Sequence, residues 1–445
     1  MLITNGTVLT LGANARVIPG GAVYFEEDTI MEVGSTAELT AKHRHETILD
    51  ATGKIVMPGL ICGHTHFYGA FARGMAIPGQ PPENFVQILE KLWWKIDRAL
   101  TLEDCQVSAL VALADAIRHG TTTLIDHHAS PRVIDGSLDV IAEAVKQAGL
   151  RASLCYEVTD RNGPAGAQAG IAENVRFTRK LRSQPEPRLA ASFGLHAAFT
   201  VSDATLERCL REARDLQVGF HLHVAEDKAD QDDSLKNHGM RVLERLEKRG
   251  VLGPKTIAVH CVHIDAFEMD ALRATRTHVT HQPRSNMNNA VGVADVPGML
   301  RRGINVALGN DGFSNNMFTE MHVAYLLHKI KARDPRAMPG DMLAQIAFAN
   351  NTRLAGVFWS QPVGVLEPGA LADIILLDYH PYTPITQGNY PWHLIFGVDG
   401  SQVTHTIASG RLLMKDRQLL TMDEEAIAAR ASELARGVWR RVADM

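Results

Sequence analysis

Histidines pose the first question. The chain carries 20 of them in 445 residues, and six fall in His-x-His pairs: His43/His45, His64/His66 and His221/His223. Along a β-strand successive side chains alternate faces, so both imidazoles of such a pair project to one side. Neutral imidazoles aimed at one point are half of a metal site. His64/His66 closes the apolar run Ile55-Val56-Met57-Pro58-Gly59-Leu60-Ile61-Cys62-Gly63. His221/His223 closes a second such run and is followed by an acid, in Phe220-His221-Leu222-His223-Val224-Ala225-Glu226. His43/His45 lies in a polar stretch and reads as solvated surface.

The same ending recurs along the chain. His127 and His128 follow Thr121–Asp126, His196 follows Leu189–Leu195, His260 follows Thr256–Val259, and His281 ends His278–His281. The run Ile304–Leu308 leads into Gly309-Asn310-Asp311, whose carboxylate is a hard oxygen ligand beside the nitrogens. Imidazoles with one carboxylate suit a divalent cation that activates water. Glu226, three residues after His223, reaches the same rim with a group able to carry a proton. The chain has no G-x-S-x-G, H-E-x-x-H or P-C-x-x-C, which argues against serine hydrolase, zincin and cytidine deaminase-type chemistry.

These residues need a scaffold that gathers strand ends. From Pro58 onward short β-type runs alternate with amphipathic stretches such as Leu102–Arg118, Leu138–Ala148, Ala204–Leu216, Met240–Lys248 and Ile264–Ala274. Counting the Ile55 run as the first strand, Leu150–Tyr156 as the third and Val218–Val224 as the fifth, the strands number eight. This alternation predicts an α/β fold, a parallel (β/α)8 TIM barrel, whose active site lies at the C-terminal strand ends. The rival, an open doubly wound sheet, wants a phosphate-binding Gly-rich turn that the chain lacks.

The flanks read differently. Leu2–Thr10 carries an Asn5-Gly6 turn signal between two short strands, and Gly20–Phe25 and Ile30–Gly34 continue the β pattern. Past Pro362 the chain turns β again, with Ile374–Leu377 as a buried strand and Ser409-Gly410 as a hairpin turn. The two flanks together predict a small discontinuous β-sandwich domain, residues 1–57 and 361–445, around a barrel at 58–360. Thr421-Met422-Asp423-Glu424 is a capping box opening a final helix to about Val442.

Bulk properties set bounds. Charged residues make up 21% of the chain, the hydrophobic share is 45% and the net charge is −5, which offers no basic field for nucleic acid or an anionic membrane. No signal peptide or membrane-spanning run is visible. Five widely spaced cysteines without C-x-x-C read as buried free thiols, and the chain as cytoplasmic. Exposed sheet edges suggest a homodimer or larger homo-oligomer.

Pro58-Gly59-Leu60 with His64-Thr65-His66, then His223-Val224-Ala225-Glu226, His260-Cys261-Val262-His263 and Leu308-Gly309-Asn310-Asp311-Gly312, resembles the amidohydrolase superfamily, in its cytosine deaminase and chlorohydrolase branch. Phe67–Gly74 and Pro283–Asn289 are similar to a narrower aminohydrolase group within it. The resemblance implies that His64, His66, His223 and Asp311 hold one divalent metal ion, zinc first with iron(II) as the alternative. It makes Glu226 the proton shuttle and has His260 orient the attacking water, with Asp311 taking that water's proton. It places His196 against substrate. Binuclear relatives carry a modified lysine where this chain has His196, so a single metal is expected.

Other positions stay open. Of the His221/His223 pair, His221 reads as filling the layer beneath. His127 is read as a substrate contact, with rim hydrogen bonding as the alternative. Arg73, Arg284 and Asn286 are candidates for binding ring carbonyls, and Trp93 and Trp94 either stack on a flat ring or anchor the following helix. The leading function is hydrolytic deamination of an amino-substituted nitrogen heterocycle with release of ammonia. The rivals are loss of chloride or an alkylamine from a triazine-like ring, and a metal-binding protein without catalysis.

Overall fold

The computed structural model describes residues 1–12, 14–77 and 79–445. Its centre is a ring of parallel strands: β1 (Leu60–Thr65), β2 (Thr121–Asp126), β3 (Arg151–Leu154), β4 (Leu189–Ala191 continuing as Phe193–Ala197), β5 (Phe220–Val224), β6 (Ile257–His260), β7 (His278–His281) and β8 (Val306–Leu308). Each pairs in parallel with the next; β4, broken at Ser192, pairs with β3 through its first half and with β5 through its second. A parallel bridge from Thr65 to Asp311 closes the ring. The expected barrel is therefore present. Apart from the partly covered first half of β4, the barrel strands are buried along their whole length, as a sheet covered on both faces requires.

The covering helices follow their own signals. Leu102–Arg118 starts at a capping box in which Thr101 and Asp104 satisfy each other's backbone N–H groups. Glu424–Ala443 is the final helix, capped not by the Thr421–Glu424 box but by Asp423, which accepts from Ala426 N, while Thr421 Oγ1 donates to Ala148 O. Trp439 Nε1 donates to Phe71 O at 2.8 Å, bracing the loop after β1.

The two flanks meet in one nine-stranded mixed sheet. Its seam is Ile55–Pro58, which pairs in parallel with Leu2–Leu9 and antiparallel with Ile374–Leu377. Ile3, Val8, Val23, Val56, Ile374 and Leu376 form its buried core. Val403–Ala408 and Arg411–Lys415 form the hairpin expected at Ser409-Gly410. Among the described residues no helix is long and apolar enough to cross a membrane. All five cysteines are buried and unpaired.

Two expectations are corrected. The Ile55 run is not the first barrel strand, because Gly59 divides it: Ile55–Pro58 stays in the flanking sheet and the barrel begins at Leu60. A Cβ at Gly59 would lie 2.3 Å from Thr122 Oγ1, so β1 and β2 approach closely only with glycine there. Asn5-Gly6 does not turn the chain. Leu2–Leu9 is one strand with a register shift, Asn5 sits at φ 64°, and the pair forms a bulge.

Candidate active site

His64 sits inside the end of β1 and His66 one residue beyond it. The chain after β8 folds over this end: Asn310 N and Asp311 N donate to His64 O at 3.0 and 3.1 Å. A Cβ at Gly309 would lie 2.8 Å from His64 N, so the approach needs glycine. Ala225, His260 and Asp311 adopt positive φ (46°, 71° and 60°), sharp departures from the strands that cluster where side chains must be aimed.

These ends bring the expected ligands together. Asp311 Oδ1 lies 2.9 Å from His66 Nε2 and 3.4 Å from His64 Nε2, and His66 Nε2 lies 3.3 Å from His223 Nε2. Donor atoms of His64, His223, His260 and Asp311 all fall within 4.8 Å of one another. The outer nitrogens are engaged elsewhere: His64 Nδ1 with His221 Nε2 at 2.9 Å, His66 Nδ1 with His127 O at 2.6 Å, and His223 Nδ1 with His196 O at 2.8 Å. This is the supporting shell that fixes ring orientation and tautomer in metal sites. His221 thus steadies the His64 ring from the layer below.

The donor set suits a cation. His64 Nε2 and His260 Nε2 are buried without a hydrogen-bond partner. Burial pushes His64 down to about 3, keeping a neutral ring with a lone pair. Burial opposes ionisation of Asp311, but the His64 and His66 rings beside it outweigh that and hold the carboxyl well below its usual range. Against burial, Asp311 pulls His66 up to about 9, and the same carboxylate would favour a bound cation in the place of that proton. Three imidazoles and a carboxylate fit zinc or iron(II).

Beside the ligands, His260 Nε2 lies 3.3 Å from Glu226 Oε2. Asn286 Oδ1 accepts from His260 Nδ1 at 2.8 Å, and Asn289 Nδ2 donates to Glu226 Oε1 at 3.2 Å. Burial, then the Asp311 charge, push the Glu226 carboxyl well above the ordinary range. Ser285 donates to Asp311 Oδ2.

The cavity at this rim is lined by His66, His223, Glu226 and Asp311 and extends past His196, Trp94 and Arg161. His196 lines it. Three expected substrate contacts do not. Asn286 is buried and spends its oxygen on His260, so it orients that ring. The Arg284 guanidinium is held by Glu320 Oε1 at 2.5 Å and Ser314 O at 2.6 Å, and lines an adjoining cavity that shares His66 and Asp311. His127 is fully buried, with Nε2 on His221 O at 3.0 Å and Nδ1 3.1 Å from Glu157 Oε1. Trp93 and Trp94 line the cavity and also pack inside the loop, Trp94 stacking under Arg161 at 4.8 Å.

Glu157 was missed. It is a buried carboxylate lining the cavity just past β3. Burial opposes its ionisation, but the neighbouring His127, then His196 and His66, hold its carboxyl well below the usual range. The strand-end rule applied to Leu150–Tyr156 points straight at it. Ser285 and Asn289, one helical turn apart, carry no comparable signal.

Fold and site together define a metal-dependent barrel hydrolase. The model of the Amidohydrolase family matches residues 55–413, and the chain belongs to that family. It is 33% identical over 446 residues to a 5'-deoxyadenosine deaminase of Methanosarcina mazei, with 99% of each chain covered. It is 34% identical over 446 residues to a 5-methylthioadenosine/S-adenosylhomocysteine deaminase of Syntrophobacter fumaroxidans, with 98% of each covered. A zinc-bound adenosine deaminase from Xanthomonas campestris is similar in structure, with a TM-score of 0.87 and 27% identity, covering 100% of this chain and 98% of that one.

Proposed function

We propose that this chain is a hydrolytic deaminase that replaces the amino group of a purine-like nitrogen heterocycle by oxygen and releases ammonia. The observation that supports it best is the convergence of His64, His66, His223 and Asp311 beside a proton-holding Glu226. The deaminase activities of the full-length relatives agree with it.

The four ligands would hold one divalent ion, zinc in this reading, which supplies Lewis acidity sufficient to bring a water's pKa to about 7. Asp311 Oδ1, kept ionised by His64 and His66, accepts the proton of the attacking water. Glu226, kept protonated by burial and the Asp311 charge, donates from its carboxyl to the ring nitrogen next to the reacting carbon. His260 Nε2, with its lone pair fixed by Asn286, orients the water. The proton then moves to the amine, the C–N bond breaks and ammonia leaves. Trp94 and Tyr68 wall the cavity and exclude bulk water.

The test is ammonia release from amino-substituted purines, pyrimidines and triazines by zinc-loaded protein. Deamination supports the reading; release of chloride or alkylamine without ammonia from any ring refutes it.

A further inference from the structure

On the His66 side of the cavity the hydrogen-bonding polarity of the wall is fixed. Thr200 Oγ1 donates to Ala197 O at 3.1 Å, so it accepts from His196 Nδ1 at 2.8 Å and leaves a lone pair on His196 Nε2. Glu157 Oε1, 3.1 Å from His127 Nδ1, and Oε2, 3.9 Å from His196 Nε2, both lack a hydrogen-bond partner among the described residues. Two acceptors therefore stand side by side. Beyond them comes a donor: the Arg161 guanidinium, held by Asp97 Oδ2 at 2.9 Å against Trp94, with Nε and Nη1 unpartnered. The Arg161 and Asp97 side chains are 7% and 2% exposed, so this is a built site rather than a surface pair.

A second cation does not explain these groups. His66 and His223 also lie near Glu157 and His127, but each has its Nε2 in the first donor set and its Nδ1 on a carbonyl. Only His127 and Glu157 would remain as ligands, too few for a closed site.

We propose that Glu157 and Arg161 select an aminolactam: a ring whose amine-bearing carbon is followed by a ring N–H and then a carbonyl. Glu157 takes the ring N–H, Arg161 takes the carbonyl oxygen, and His196 receives a hydrogen of the amine. The spacing agrees, since Glu157 Oε1 lies 3.5 Å from His66 Nδ1, one imidazole width from the metal donors. An adenine-type ring, with its single nitrogen next to the reacting carbon turned to Glu226, offers Glu157 a ring carbon in place of the N–H and Arg161 no carbonyl, and a buried carboxylate and guanidinium left unpaired disfavour it. The preferred ring thus differs from those in the relatives' names. Water's oxygen bonds to the amine-bearing carbon, the C–N bond breaks, ammonia departs and a dioxo ring remains, with no redox partner required. This assignment rests on the deaminase reading of the same site.

The test compares guanine and isocytosine with adenine and adenosine, using zinc-loaded wild type, Glu157→Gln and Arg161→Gln. Wild type is expected to favour an aminolactam by about 100-fold or more in kcat/KM. Glu157→Gln is expected to lose about 100-fold on aminolactams, chiefly in KM, and less than about fivefold on adenine. Arg161→Gln, distant from the metal ligands, loses about tenfold or more on aminolactams alone. Full metal content checks folding of both variants. Preference of wild type for adenosine overturns the proposal, as does equal loss on every ring. Absence of ammonia from all four compounds instead sinks the deaminase reading itself.

Discussion

Glu226→Gln isolates the proton step. In the wild-type site Glu226 Oε1 accepts from Asn289 at 3.2 Å and Oε2 lies 3.3 Å from the His260 Nε2 lone pair. A glutamine in the same place keeps the first bond through its oxygen and donates to His260 through its amide, so packing, stability and metal content are expected to hold. What disappears is the transferable proton. General acid–base catalysis contributes about 10²–10⁴-fold. The site is buried, so water cannot readily substitute, and the loss is expected near the upper end, about 10³–10⁴-fold in kcat. That corresponds to about 4–5.5 kcal/mol at 1.36 kcal/mol per decade. The assay is ammonia release by the best ring substrate, with metal per chain and thermal unfolding measured on the same preparation. A kcat within tenfold of wild type at full metal content would refute the role.

Other perturbations separate the ligands from their supports. Chelation is expected to abolish turnover, and zinc to restore it within about a factor of two of the starting rate. Asn286→Ala frees His260 Nδ1 and is expected to cost about 10–100-fold in kcat with metal retained, whereas wild-type kinetics would restore Asn286 as a bystander. His221→Phe removes the partner of His64 Nδ1 and is expected to weaken metal affinity by about 10–100-fold, read by competition with a chelating dye. Gly410→Ala would put a Cβ 1.6 Å from Glu27 O at φ 70° and is expected to destabilise the flanking sheet by about 2–4 kcal/mol, seen as a lower denaturation midpoint.

The barrel and the side chains that converge at its rim were legible because their signals are local. A parallel strand buried on both faces is a short apolar run, and the chemistry sits where that run stops, so His64, His223, His260 and Asp311 could each be found from their own neighbours. The failures share a cause. Asn5-Gly6 carries a turn signal, but Leu2–Leu9 pairs with three strands at once and the ladder overrides the local preference. The Ile55 run looked continuous because the sequence does not show that Thr122 packs against Gly59. Arg284 and Asn286 looked available for ring carbonyls because their partners lie far off in sequence, Glu320 36 positions from Arg284 and, for Asn286, His260 at the end of β6. Pairings across the barrel decide which polar side chain is left for substrate, and no spacing along the chain records them.

The most direct test of the account is the position of the bound metal. Anomalous diffraction from zinc-loaded crystals should show a single strong site about 2.0–2.2 Å from nitrogens of His64, His66 and His223 and an oxygen of Asp311. The Asp311→Ala protein should show none. A peak elsewhere, or full occupancy in Asp311→Ala, would contradict the convergence on which the proposed chemistry depends.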